Sequence, residues 1–128
     1  MAGEVYPFLT YRDARAAIEW LEKAFGFGRH LVVDGPDGSV VHAELTNGEG
    51  MVMLASERED GGRFGHHAGQ GWLYVVVADA DAHHERARRA GAEIVMEPTD
   101  QVYGSRDYSA RDPEGNLWSF GTYRPEAP

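Results

Sequence analysis

His42 and Glu44 stand two residues apart in a run, Ser39–Leu45, that reads as a strand, so their side chains leave the same face. An imidazole beside a carboxylate offers either two ligands for a metal ion or a base with an orienting partner. Pairing across the Asn47–Gly50 turn puts Ala43 and Leu45, not His42, on the face assigned below to the cavity. A bulge in that turn would reverse the choice, and the expectation for His42 and Glu44 is a structural or surface role. The other histidines carry less. His66-His67 lies in a polar loop, His30 is isolated, and the adjacent His83-His84 on a helix cannot share a face. Arg106 offers a guanidinium for a ligand carboxylate or for a neighbouring strand, and Asp107 beside it faces the other way. There are no cysteines, which excludes disulfides, thiolate zinc sites and a thiol nucleophile.

The elements that must position these groups come in a repeating order. Val5–Tyr11 alternates as a strand, with Tyr6, Phe8 and Thr10 on one face and Pro7, Leu9 and Tyr11 on the other. Pro7 belongs near a strand end or edge. Asp13 reads as a helix N-cap, followed by Ala17, Ile18, Leu21, Ala24 and Phe25 at helical spacing, with Gly26 as the stop. Strands are then expected at Arg29–Val33, Ser39–Leu45 and Met51–Ser56, separated by the Gly35–Gly38 and Asn47–Gly50 turns. Residues 58–70 form a polar, glycine-rich linker. The order then recurs: a strand at Trp72–Val77, a helix capped by Asp79 and stopped at Gly91, and strands from Ile94, over Tyr103–Arg111 and over Leu117–Tyr123.

Laying residues 6–24 over residues 72–90 makes the repeat explicit: Asp13 meets Asp79, Ala14 meets Ala80, Glu19 meets Glu85 and Ala24 meets Ala90. Two copies of one unit, 4–57 and 71–124, pack together because neither buries its own apolar face alone. The expected fold is α+β, a single domain of two tandem βαβββ units whose curved sheets form a cup. The 128 residues suffice for one core, with 42% hydrophobic and 26% charged residues. A net charge of −9 repels phosphate backbones and argues against nucleic acid. No apolar run reaches the length of a membrane span. Met1-Ala2-Gly3-Glu4 has neither the basic start nor the apolar stretch of a secretory signal, so the expected location is cytoplasmic.

Asp112-Pro113-Glu114-Gly115-Asn116-Leu117-Trp118-Ser119-Phe120 resembles the C-terminal signature of the vicinal oxygen chelate superfamily, which includes glyoxalase I, extradiol dioxygenases and the fosfomycin- and bleomycin-resistance proteins. The doubled strand–helix–three-strand order matches that fold over nearly the whole chain. In metal-using members the ligands occupy the first and last strand of each unit. Carried over, those seats are Tyr6 and Trp72 on the first strands, Ser119 four residues after Gly115, and Leu54 by the same count from Gly50. A divalent ion needs imidazole nitrogens or carboxylate oxygens, so the resemblance implies a member with no metal and no cofactor.

That alignment also implies a cup lined by Tyr6, Phe8, Leu54, Trp72, Tyr74 and Ser119. Pairing across the Asp112–Gly115 hairpin adds Arg106, Tyr108 and Ala110, while Trp118 and Phe120 point to the helix side. Such an aromatic groove suits a flat, partly apolar molecule. The resemblance is closest to the metal-free, drug-binding branch. It implies a homodimer that binds a small aromatic or cationic organic molecule such as an antibiotic, with no catalytic residue assigned. The competing expectation is a glyoxalase-type lyase, isomerase or dioxygenase with a displaced metal site built on His42, Glu44 or a linker histidine. A third is a metal-free enzyme using Tyr108 or Arg106.

Overall fold

The structure is a computed structural model that describes residues 3–58 and 67–125. The centre of the linker, with His66, lies outside the described residues. Unit one contains β1 (Phe8–Tyr11), α1 (Ala14–Phe25), β2 (Gly28–Asp34), β3 (Val40–Asn47) and β4 (Gly50–Ser56). Unit two contains β5 (Trp72–Val76), α2 (Ala80–Arg89), β6 (Glu93–Asp100), β7 (Arg106–Arg111) and β8 (Leu117–Gly121). Each unit folds into one four-stranded sheet, ordered β1-β4-β3-β2 and β5-β8-β7-β6. In both, the first strand runs parallel to the last, and the remaining pairs are antiparallel. The result is the expected α+β fold of two βαβββ units. Among the described residues no helix is long and apolar enough to cross a membrane.

The helices start and stop where side-chain chemistry directs. Asp13 and Asp79 cap α1 and α2, accepting from the amides of Ala16 at 3.1 Å and Ala82 at 3.0 Å. Gly26 ends α1 in the left-handed region at φ 78°, a conformation most side chains resist. Its neighbour in space is the Arg86 guanidinium of α2, which donates to the carbonyls of Lys23 and Glu22 at 3.0 and 3.1 Å. His83, one turn earlier on α2, donates from Nε2 to the Phe25 carbonyl at 2.9 Å. The second helix thus satisfies the orphan carbonyls of the first.

One core joins the units. It contains Leu9, Tyr11, Ile18, Leu21, Phe25, Leu45 and Leu54 from unit one and Ala87, Tyr108, Ala110, Trp118 and Phe120 from unit two. Phe25 packs against both Trp118 and Phe120, with ring centroids 5.5 and 4.6 Å apart. The Asp112 carboxylate, 4% exposed, is the polar counterpart of this contact. It accepts from the Tyr11 hydroxyl at 2.6 Å and from Trp118 Nε1 and Asn116 Nδ2, both at 3.1 Å. Its other oxygen accepts the amides of Glu114 and Asn116. The units therefore meet through their helix-side faces, and strand-to-strand contact between the two sheets is marginal among the described residues. Both concave faces are left turned away from the core.

Candidate functional site

Residues paired on neighbouring strands point to the same face, so the ladders define what each concave surface carries. In unit one, Phe8 stands beside Met53, Met53 beside Glu44, and Glu44 beside Leu31. His42, beside Val33, lies one step along on the same face. In unit two the matching level is Tyr74, Ser119, Ser109 and Met96. Trp72 lies one step along β5, 75% exposed, and its indole donates to Ser119 Oγ at 3.1 Å. Ser119 in turn shares a hydrogen bond of 2.8 Å with Ser109.

Five of the eight residues expected to line the cup lie on these faces: Tyr6, Phe8, Trp72, Tyr74 and Ser119. The other three do not. Leu54 is fully buried on the helix side, beside Leu9 and Ala43. The seat falls on Met53 because the first hairpin closes on Asn47 and Gly50, whereas the second closes on Arg111 and Leu117 around a five-residue turn. Counting four residues from each glycine therefore slips by one in unit one, and one residue of slip exchanges the faces of a strand. Ala43 and Leu45 follow Leu54 inward, and His42 and Glu44 come out onto the concave face, opposite to expectation.

Tyr108 is corrected for a parallel reason. With Arg111 paired to Leu117, the residues sharing a face with Ser119 are Asp107, Ser109 and Arg111. Tyr108 and Ala110 lie in the core, both fully buried. The Tyr108 hydroxyl hydrogen-bonds His83 Nδ1, and burial holds its pKa above the ordinary phenol value. Arg106 also leaves the cup. It pairs with Asp81 of α2 and Asp100 of β6, each at 3.1 Å, which is the structural alternative foreseen for it.

The concave faces are aromatic with a few acidic and hydroxyl tips. Tyr6 is 43% exposed, Phe8 44% and Tyr74 41%. The Tyr6 hydroxyl donates to Glu4, and that hydrogen bond, with the charges of Glu4 and Glu44, pushes its pKa up. Tyr74 is also shifted up, by burial first and by the Asp107 charge, while its hydroxyl donates to the Tyr123 carbonyl at 2.7 Å. Gly121 allows this crowding: a Cβ there would clash with the Asp107 carboxylate and stand 2.7 Å from the Tyr74 hydroxyl. Asp107 accepts from Ser105 and Tyr103. A cleft of about 1090 Å³ runs between the β3–β4 turn of unit one, at Asn47 and Gly50, and β5 with the start of α2, at Val77 and His83; of the residues expected to line the cup only Tyr74 reaches it.

A model of the Glyoxalase/Bleomycin resistance protein/Dioxygenase superfamily matches residues 5–120. The chain belongs to this superfamily. It is 36% identical over 121 residues to an uncharacterized protein of Mycobacterium bovis, covering 90% of this chain and 80% of that one. TioX from Micromonospora sp. ML1 is similar in structure, with a TM-score of 0.77 and 34% identity over 96% of this chain and 100% of TioX. A superfamily enzyme from Burkholderia phytofirmans PsJN, at 20% identity and TM-score 0.72 over 91% of this chain and 94% of its own, shares the fold.

The superfamily's four metal seats can now be read with the corrected register: Tyr6, Met53, Trp72 and Ser119. They supply a phenol, a thioether, an indole and a hydroxyl. None is an imidazole or a carboxylate, so the set does not fit a hard or borderline divalent ion. His30, His42 and Glu44 approach one another nearby, but His30 Nε2 stays 3.8 Å from Glu44. Among the described residues no group of three or more histidine, aspartate or glutamate side chains is arranged to hold a metal. Met53, Ser109 and Asp107 were missed from the sequence. The unequal hairpin lengths were the signal that could have found them.

Proposed function

We propose that the protein is a metal-independent binding protein for a small, flat, partly apolar or cationic organic molecule of antibiotic type. It acts in the cytoplasm as a homodimer and confers resistance by sequestration. The observation that carries the reading is the set of exposed aromatic side chains on the concave faces, Trp72 above all, over seats that lack metal-binding groups. Stacking a planar ring on such residues contributes roughly 0.5–1.5 kcal/mol per contact beyond area burial. The partly exposed Glu44 carboxylate favours a cationic substituent. The dimer is supported by the direction of the faces. Leu31 and Val33, each 42% exposed, extend the apolar surface of unit one outward, where a second copy would cover it.

Isothermal titration against a panel of aromatic and cationic antibiotics is expected to yield a saturable ligand. Trp72→Ala is expected to weaken that ligand by about tenfold, or ~1.4 kcal/mol. A panel without any saturable heat would refute the reading. The presence of His42 and Glu44 on the concave face favours a second reading, a glyoxalase-type lyase, isomerase or dioxygenase with a displaced metal. Elemental analysis of protein purified without a histidine tag separates the two, because only the second requires stoichiometric transition metal.

A further inference from the structure

The chemistry-bearing pair on unit one's concave face is not needed for stacking a ligand. His42 Nε2 lies 2.9 Å from Glu44 Oε2. An ionised carboxylate only accepts hydrogen bonds, so Nε2 is the donor and the ring's lone pair sits on Nδ1. Among the described residues nothing hydrogen-bonds Nδ1, and it is not a buried atom without a partner. The side chains of His42 and Glu44 are 30% and 22% exposed, partly shielded yet reachable. The Phe8 ring lies 6.0 Å from the imidazole, tilted by 37°. The second carboxylate oxygen has His30 Nε2 at 3.8 Å. A base, its orienting carboxylate and an aromatic platform thus share one surface.

We propose that His42 and Glu44 form a proton-transfer dyad that gives the cup a metal-independent, base-catalysed activity on planar molecules bearing an acidic C–H bond. Nδ1 takes the proton, and the C–H electron pair stays with the substrate. Glu44 accepts from Nε2–H and stabilises the imidazolium that forms. Return of the proton to another substrate atom completes an isomerisation, and loss of a leaving group completes an elimination. Glu44 is a positioning residue and His42 the catalytic one. The site is the same cup to which we assign binding, and the activity rests on a planar molecule entering it.

The probe 5-nitrobenzisoxazole tests the chemistry directly. It is flat and aromatic, and removal of its ring C–H proton forms the nitrile as the N–O bond breaks to a coloured phenolate. The proton passes from Nδ1 to water, so atoms and electrons balance. Wild-type protein is expected to turn the probe over at least tenfold faster than equal concentrations of imidazole and acetate, with a deuterium isotope effect at the abstracted position. His42→Ala is expected to lose about 10²-fold in kcat, within the usual range for a general base. Glu44→Gln should lose about tenfold in kcat with KM unchanged, a split that a merely structural role would not give. His67→Ala, whose imidazole bonds Glu57 beyond the end of β4 and does not bond His42 or Glu44, should keep the wild-type rate. Melting curves check that each variant is folded. A rate no higher than the free buffer bases, or one that survives His42→Ala, overturns the dyad. Quenching of Trp72 fluorescence by the probe without turnover also overturns it, while leaving the binding reading intact. No quenching and no titration heat from the antibiotic panel would instead refute the binding reading.

Discussion

Exchanging one side chain at each of two adjacent positions tests the register on which the site depends. Leu54 is fully buried among the core residues, beside Leu9 and Ala43. Truncating a buried leucine to alanine costs about 3–4 kcal/mol, from lost transfer energy plus the cavity left behind. Unfolding entropy of about 2.1 cal/mol/K per residue makes each kcal/mol worth ~4 °C in a chain of this length. Leu54→Ala should therefore lower Tm by about 11–15 °C while leaving the affinity of any cup ligand within about twofold. Met53 is half-buried on the opposite face, beside Phe8 and Glu44. Met53→Ala removes part of an exposed surface, so it should cost about 1 kcal/mol of stability or less. The same truncation should weaken a ligand that lies on Phe8 by about tenfold. Calorimetric melting at fixed protein concentration and titration calorimetry on both variants give the four numbers. If Met53→Ala melts far below Leu54→Ala, or if only Leu54→Ala loses the ligand, the faces have been assigned the wrong way round.

Two further perturbations address how the units are held together. Asp112→Asn places an amide NH2 or a single carbonyl oxygen against three donors, those of Tyr11, Asn116 and Trp118. A buried donor left unmatched costs about 1–3 kcal/mol, so urea unfolding should show a loss of about 2–4 kcal/mol. Tyr11→Phe, which removes one donor only, should lose less. His83 is held below its ordinary pKa, chiefly by burial and also by the Arg86 charge, against the opposing hydrogen bond to the Phe25 carbonyl. The unfolded chain then binds the proton more readily, so stability is complete above the ordinary histidine value near 6.5 and falls as pH drops through it. Melting curves from pH 7 to pH 5 should show a decline in the wild type that is shallower in His83→Gln; equal slopes would refute this.

The order of elements was legible because local chemistry marks it. Asp13 and Asp79 carry the two helix starts, Gly26 the end of the first helix, and the turns fall where glycine and proline cluster. The assignment of faces was only half legible, and the reason is geometric. Trp72 and Tyr74 fall on the expected face because the repeat with Tyr6 and Phe8 needs no turn to be counted, and Ser119 does so because its seat is counted within the motif that contains its turn. Leu54 does not, because the equivalence of Gly50 and Gly115 hides a difference in hairpin length. Because Ala43 pairs with Leu54, a slip at β4 carries into β3 and exchanges the faces of His42 and Glu44 as well. Arg106 and Tyr108 were displaced by the same kind of slip, because the second hairpin pairs Arg111 with Leu117 and puts Ser109, not Tyr108, beside Ser119. Each has the polar group expected of a binding residue, but each satisfies it on the helix side, with Asp81 and Asp100 for Arg106 and with His83 for Tyr108. Those partners are distant in sequence, so which groups satisfy the two side chains is not legible even where the register that turns them inward is.

The two concave faces are no longer equivalent, and this inequality makes the proposed dimer testable in its geometry. Unit one carries His42, Glu44 and Met53, whereas unit two carries Trp72, Tyr74 and Ser119. A two-fold dimer that sets unit one of each copy against unit two of the other creates two identical cups, because residue i meets residue j and j meets i. Each such cup joins the imidazole and carboxylate to the exposed indole. Setting like units together instead creates two unlike cups, one with two dyads and one with none. The faces decide between these. Two Glu44 carboxylates brought opposite each other repel, whereas two Trp72–Tyr74 surfaces leave a cup whose exposed carboxylate, Glu93, is already paired with Arg111. The mixed arrangement should bind two ligand molecules per dimer with a single affinity. Titration calorimetry combined with light scattering measures both numbers, and one ligand per dimer would exclude the mixed arrangement.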